Sequence, residues 1–201
     1  MVAYLFFASG VHNFAKLPTL VENVGTLDAF ETHDGEIVRL EDQITVLGFL
    51  GKNLQGTQGN AFNLNQKIYK KNHEFRDFQF VMIVPQGSKS EVKQLMAELE
   101  VITDVSGWKF LYGTPEQIQR FHKSLQVPYA LDESLATPYV FIIDKNRNLR
   151  GRDDSREGED MQFGYNSSSV AELNDSMTDD IKVILAEYRL ALKKYKADRS
   201  N

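Results

Sequence analysis

Two apolar runs dominate the hydrophobic pattern: Ile44–Leu50 (ITVLGFL) and Phe78–Val84 (FQFVMIV). Both are short and rich in β-branched or aromatic residues. Gly51 closes the first, and Pro85 and Gly87 close the second, so both read as buried strands. Between them the period changes. Phe62, Leu64, Ile68, Tyr69 and Phe75 recur roughly at helical spacing. This predicts an amphipathic helix over Ala61–Phe75, with Asn60 as N-cap and Lys70 and Lys71 near its C-terminal end. The stretch Gly51–Asn60 then becomes a polar, glycine-rich loop. Strand, helix and second apolar strand together predict a right-handed parallel crossover.

The flanking pattern extends this unit. Lys16–Val24 contains Pro18 and reads as an extended approach. Thr26–Thr32 alternates and meets Asp34-Gly35, a hairpin signal, with Ile37–Leu40 as the return strand. Downstream, Ser88 or Ser90 caps a helix with Val92, Leu95, Met96 and Leu99 on one face. Trp108–Tyr112 is a third strand. In Thr114-Pro115-Glu116-Gln117 a capping threonine precedes proline at the first helical position and glutamine at the third, which starts a helix to about Leu125. Thr137-Pro138 leads into the strand Tyr139–Ile143, Asp144–Asn148 turns, and Leu149–Arg152 returns. The polar segment Asp153–Asp175 reads as a surface loop or lid, with Tyr165 as an exposed contact. Met177–Lys196 is the last helix. Ser176 or Thr178 caps it, Asp179 and Asp180 sit in its first turn, and Ile181, Ile184, Leu185, Tyr188 and Leu192 form its apolar stripe.

Composition narrows the chemistry. The chain has 201 residues, 42% of them hydrophobic, which suits one domain with a substantial core. That domain is expected over 16–201, behind an N-terminal arm or trimmed anchor remnant at 1–15. A net charge of −5 without a basic run argues against nucleic-acid binding. There is no cysteine, which excludes a disulfide, a thiol nucleophile and a thiolate metal ligand. No metal and no cofactor is expected. His12, His33, His73 and His122 fall in four separate elements, and a metal site needs converging ligands. The acidic tract Asp153, Asp154, Glu157, Glu159 and Asp160 lacks the spacing of a calcium loop. Gly51, Gly56 and Gly59 match no phosphate-binding motif, and Ser167–Ser169 have no nucleophile elbow. What remains lies where α/β folds place their chemistry, beyond the carboxyl end of the central strand. The candidates there are Lys52, Asn53 and Gln55. A lysine in such a loop is ordinarily exposed, and becomes a functional base or nucleophile only when burial lowers its pKa.

The order of elements resembles the thioredoxin-like fold with peroxiredoxin-like elaborations. The tract Thr137–Arg152 (TPYVFIIDKNRNLRGR) carries the resemblance most specifically: in that pattern a Thr-Pro with a cis peptide bond leads into the penultimate strand. Together with GFLGKN after the central strand, NLRGRDD, and the final helix VAELNDSMTDDIKVILAEYRLALKK, the chain resembles the Sco/SenC family. Within it, the likeness is to a cysteine-free group of Bacteroidetes type, over about Lys16–Lys194. The family consists of envelope-facing, membrane-anchored copper chaperones and thiol-disulfide reductases that serve cytochrome c oxidase assembly. Its members bind copper through a C-x-x-x-C loop after the central strand and a histidine before the penultimate strand. Here the cysteine positions fall at about Lys52 and Gly56, and no histidine lies in Ala136–Pro138. Soft thiolates retain Cu(I) and thiol exchange needs an attacking thiolate; a lysine and a glycine supply neither.

The expected fold is α/β, thioredoxin-like, with a central mixed sheet flanked by helices and an N-terminal β-hairpin. The resemblance implies a non-catalytic, Sco-like protein of the cell envelope, periplasm-facing and possibly anchored upstream of the domain. It would bind a protein partner in assembly through Gly51–Asn60 and Asp153–Asp175, without thiol-disulfide or peroxidase activity. The alternative is a cysteine-independent enzyme or small-ligand binder that uses Lys52, Asn53 and Gln55 near Pro138.

Overall fold

β3, Ile44–Leu50, lies mid-sheet with every residue buried. The computed structural model describes residues 16–32, 35–153 and 161–198, with side chains to residue 191. β3 runs parallel to β4 (Phe78–Pro85), β4 runs parallel to β5 (Trp108–Gly113), and β3 runs antiparallel to β6 (Ala136–Ile143). The short strands β1 (Thr19–Val21), β2 (Glu31–Thr32) and β7 (Leu149–Arg150) complete the order β1-β7-β6-β3-β4-β5-β2. A further strand, β8 (Tyr165–Asn166), pairs with β6. This is the mixed α/β sheet of the thioredoxin-like fold that the resemblance implies.

Both sheet faces are covered, which is why β3 and β4 are buried throughout and apolar but for Thr45 and Gln79, which bond each other at 3.0 Å. The helix α1 (54–72), with α2 (Lys89–Glu100) and α4 (170–198), covers the face built from Val46, Phe80 and Met82. The helix α3 (Pro115–Ser124) and the segment through Val24, Leu27 and Leu40 cover the other, built from Phe49, Val81 and Phe141. α3 starts as its sequence requires. Thr114 Oγ1 accepts from Gln117 N, Gln117 Oε1 accepts from Thr114 N, and Pro115 sits at the first helical position.

Several elements depart from the expectations. The first arm of the hairpin forms as β2, but its ladder is with β5 (Glu31↔Tyr112, Thr32↔Leu111) and not with Ile37–Leu40. The chain still turns here, with Gly35 at φ 71 and the Thr32 hydroxyl donating to the Glu36 carbonyl at 2.8 Å. The return segment is not a strand, and Ile37 is 74% exposed. Asp34 of the predicted turn, the arm at 1–15, His12 and His33, Asp154 to Asp160 of the acidic tract, and the Leu192 side chain lie outside the described residues.

Asp153–Asp175 is not a surface loop in its second half. Tyr165, Ser167 and Leu173 are buried. Gln162 bridges to Arg152, and β8 then pairs with β6. Tyr165, read as an exposed contact, donates its hydroxyl to Asp180 Oδ2 at 2.7 Å. Burial and the adjacent Asp180 carboxylate push that hydroxyl far above the ordinary tyrosine value, so it stays a donor. The last helix consequently starts early. Ser169 caps it by accepting from Glu172 N, and a π-turn over Leu173–Met177 leads into Thr178–Asp198.

The β6–β7 turn anchors the chain termini. Asp144 Oδ1 accepts from Asn146 N and Asn148 N, both at 2.9 Å, and Oδ2 accepts from Arg150 Nη1 at 2.9 Å. Arg150 also donates through Nε and Nη2 to the Leu17 carbonyl, and its Nη2 reaches Glu187 Oε2 at 2.8 Å. Both Asp144 and Arg150 are buried. Removing one partner of such a pair strands the other in a low dielectric, so Arg150→Met is expected to lower stability by ~3–5 kcal/mol. Chemical denaturation of the two proteins measures it.

Candidate functional site

Beyond β3 the chain turns at Gly51, whose φ is 68. A Cβ at this position would lie 2.7 Å from the Ser134 carbonyl oxygen and 2.8 Å from Ala136 Cβ, so the turn requires glycine. Lys52 N donates to that same Ser134 carbonyl at 2.9 Å. The loop carrying Ser134 is folded on Asp132, whose Oδ1 accepts from Ser134 N at 2.8 Å and Ala136 N at 2.9 Å. The end of β3 and the start of β6 are thus fixed together before any side-chain chemistry enters.

Gly51–Asn60 is not a loop beyond its first three residues. Asn53 caps α1 by accepting from Gly56 N at 3.1 Å, and the helix begins at Leu54. Buried Leu54 anchors it, and the Thr57 hydroxyl donates to the Leu50 carbonyl at 3.1 Å. Asn60 is therefore an interior residue and not the cap. The missed signal is the helical spacing of Leu54, Ala61, Leu64 and Ile68, all buried. Gly56 and Gly59 hide it, because glycine lowers helix propensity while tolerating the helix once packing supplies the stability. A π-turn over Asn65–Tyr69 then realigns α1, and the Tyr69 hydroxyl accepts from Gly107 N at 2.8 Å.

Thr137 is buried and pairs with Phe49, which brings it beside the end of β3. Pro138 is exposed. The Thr137–Pro138 bond is trans, since the described residues contain no cis peptide bond. The bend is taken up instead by a bulge. Leu47 pairs with Phe141 and Phe49 with Thr137, so three residues of β6 face Gly48 alone. Proline, with no N–H to contribute, fits such a bulge. Its carbonyl accepts from Ser167 N at 2.8 Å and Ser167 Oγ at 2.6 Å. The Ser167 carbonyl in turn accepts from Asn63 Nδ2 of α1 at 3.1 Å. Ser167 was not a sequence candidate; nothing local marks it, because its role depends on β8 reaching β6.

The described site is a connected face made of Lys52, Asn53 and Gln55, Pro138, and the turn after β8. Lys52, Asn53 and Gln55 are exposed, and Lys52 has no side-chain hydrogen bond or ion pair among the described residues. Beside Pro138, Tyr139 stacks on Tyr129 with ring centroids 3.7 Å apart at 8°. Gly56 faces the cap: a Cβ there would meet Asn53 Nδ2 at 2.7 Å. The arrangement offers amide and ammonium donors and a stacked aromatic wall.

The described histidines do not converge. His73 Nδ1 lies 3.0 Å from the Lys70 carbonyl, while His122 on α3 packs edge-on to Phe49 at 5.2 Å. Among the described residues no group of three or more His, Asp or Glu side chains is placed to hold a metal ion.

No protein-family model matches the sequence, and no curated protein matches it. Solved structures do match in fold. A SCO1/SenC family lipoprotein from Bacillus anthracis superposes with a TM-score of 0.58 at 21% identity, covering 85% of this chain and 99% of that one. BsSco, a member of the Sco family of cytochrome c oxidase assembly proteins, gives 0.59 at 17% identity, covering 85% and 98%. A protein from Bacteroides thetaiotaomicron, described as a putative protein disulfide isomerase, gives 0.54 at 15% identity, covering 86% and 95%. The class that the fold defines is therefore thioredoxin-like. Within that class the resemblance to Sco/SenC proteins holds in three dimensions, over a chain that has no cysteine.

Two outcomes test this geometry. Asn53→Ala removes the helix cap and is expected to cost ~1 kcal/mol in thermal or denaturant unfolding, whereas Asn53→Asp retains most of it. His122 is shifted below its ordinary value by burial, opposed by a backbone hydrogen bond at Tyr129. Between about pH 6.5 and the lower native value the unfolded chain binds the proton and the native one does not. Stability falls as pH drops through that window, and His122→Gln is expected to flatten the fall. Paired unfolding curves between pH 7 and 5 measure it.

Proposed function

We propose that this chain is a non-catalytic, Sco-like binding protein that engages a protein partner through the face around Gly51–Asn60 and Pro138. One observation carries the reading. The positions that resemble the family's cysteines are Lys52, exposed and unpaired among the described residues, and Gly56, whose side-chain space is taken by the Asn53 cap. The scaffold that would aim two thiolates is spent on starting a helix. Exposed Pro138 and Val170, the latter 40% exposed, flank the buried Ser167 link and add apolar surface to a polar rim. A mixed face of this kind suits a protein surface better than a small-molecule cleft.

The neighbours support an envelope role. One is described as a lipoprotein and another as belonging to a family of cytochrome c oxidase assembly proteins. Transferred to this chain, those descriptions suggest work in assembly at the cell envelope. The alternative, a small-ligand or cysteine-independent enzymatic site at Lys52, gains less support, because that lysine is exposed.

The reading is tested by affinity capture from envelope fractions with the wild-type chain and with Gln55→Arg/Val170→Arg, both at exposed positions. A partner retained by the wild type and lost by the folded variant is the expected result. Cu(I) titration against a competing chelator is the second arm. Tight one-to-one uptake would overturn the loss of copper chemistry.

A further inference from the structure

A cavity of about 440 Å³ lies away from this face, between α2 and the segment after β2. Alternate side chains of β5, Trp108, Phe110 and Tyr112, form its floor. Trp108 and Phe110 stack with centroids 6.2 Å apart at 17°. The outer wall is closed by Glu36, whose carboxylate accepts from Lys109 Nζ at 2.8 and 2.9 Å. The inner wall is one stripe of α2: Lys89, Val92, Lys93, Met96 and Glu100.

The stripe is electrically polarised. Lys89 Nζ stands over the Tyr112 ring at 5.6 Å, so the basic end lies at the carboxyl end of β5. Trp108 N donates to the Val105 carbonyl at 2.9 Å, so Asp104 and Glu100 belong to the opposite end. The arrangement runs against the helix itself. Although Glu91 sits favourably in the first turn, Lys89 and Lys93 begin α2, and Glu98 and Glu100 end it with no basic residue in the last turn. A helix macrodipole prefers the reverse. Charge order that works against local stability, beside a cavity, points to a ligand.

We propose that this cavity binds a short peptide with both ends free. Its carboxylate would lie at Lys89 and Lys93, its ammonium group at Glu100 and Asp104, and an apolar side chain on the Trp108–Phe110 floor. The dimensions agree. Lys93 and Glu100 are seven residues apart, roughly 10 Å along the axis, and three extended residues span about 10 Å. The volume falls within the roughly 300–1,000 Å³ common for ligand sites.

Trp108 is the only tryptophan of the chain, so its emission reads the site directly. The full chain is titrated with alanyl-phenylalanyl-alanine. A saturable change in emission is expected, and N-acetylation or C-amidation of the peptide should each weaken binding by about tenfold or more, as loss of one charge-assisted contact does. Lys93→Glu should weaken it likewise, whereas Lys123→Glu on α3 leaves it unchanged. The proposal is overturned if no saturable change occurs up to millimolar peptide. It is also overturned if the doubly capped peptide binds as well as the free one, or if Lys93→Glu binds like the wild type.

Discussion

Arg150 carries a positive charge into the interior, and much of the fold is arranged to receive it. Its guanidinium has donors on several sides, and each is met by a different part of the chain: Asp144 from the β6–β7 turn, the Leu17 carbonyl from the approach to β1, and Glu187 from α4. A buried guanidinium is tolerated only when such partners are complete. The consequence is topological. β1 is held at the β7 edge, and α4 is held across the same edge, more than thirty residues away in sequence from Arg150. Arg152 repeats the device two residues on. Its Nε meets Asp180 Oδ2 at 2.8 Å, and that carboxylate also accepts from the Tyr165 hydroxyl. Together the two arginines tie α4 to the sheet edge, beside the apolar stripe that Leu173, Met177, Ile181 and Ile184 bury in the core.

Elements specified by short-range chemistry were legible in the sequence. The apolar runs of β3 and β4 and the Thr114–Gln117 box depend on neighbours within one turn or one strand, and each forms where its pattern predicts. What the pattern hid depends on distant partners. Glu31–Thr32 has no local reason to choose β5 over Ile37–Leu40; the choice is made by the free edge of a strand some eighty residues later. Asp153–Asp175 is polar in composition, yet Tyr165 buries its ring because Asp180, itself paired with Arg152, accepts from its hydroxyl. A polar sequence marks a surface loop only when its polar groups lack partners inside.

The candidate site divides the same way. Lys52, Asn53 and Gln55 were found by position, beyond the carboxyl end of the central strand, and Thr137 and Pro138 by the family resemblance; the pairing Phe49↔Thr137 explains why those two stretches meet. Asn53's role as a cap was obscured by the glycines that follow it. Ser167 was not legible at all, because its two hydrogen bonds to the Pro138 carbonyl exist only once β8 has docked.

A thiol-bearing loop of this fold needs its second reactive side chain to project from the first turn of the helix. Here that turn is closed by its own cap, with Asn53 Oδ1 taking Gly56 N. The cap and a side chain at 56 compete for one volume, since a Cβ there would approach Asn53 Nδ2 to 2.7 Å. The Asn53 cap and the glycine at 56 are thus physically linked: without a side chain at 56 the cap closes freely, and with the cap closed a side chain at 56 must push the Asn53 amide aside. Reintroducing cysteines at 52 and 56 would therefore require the Asn53 side chain to give way as well. That turn is itself tied to the buried sheet, through the Thr57 hydroxyl on the Leu50 carbonyl and through Leu54 in the core.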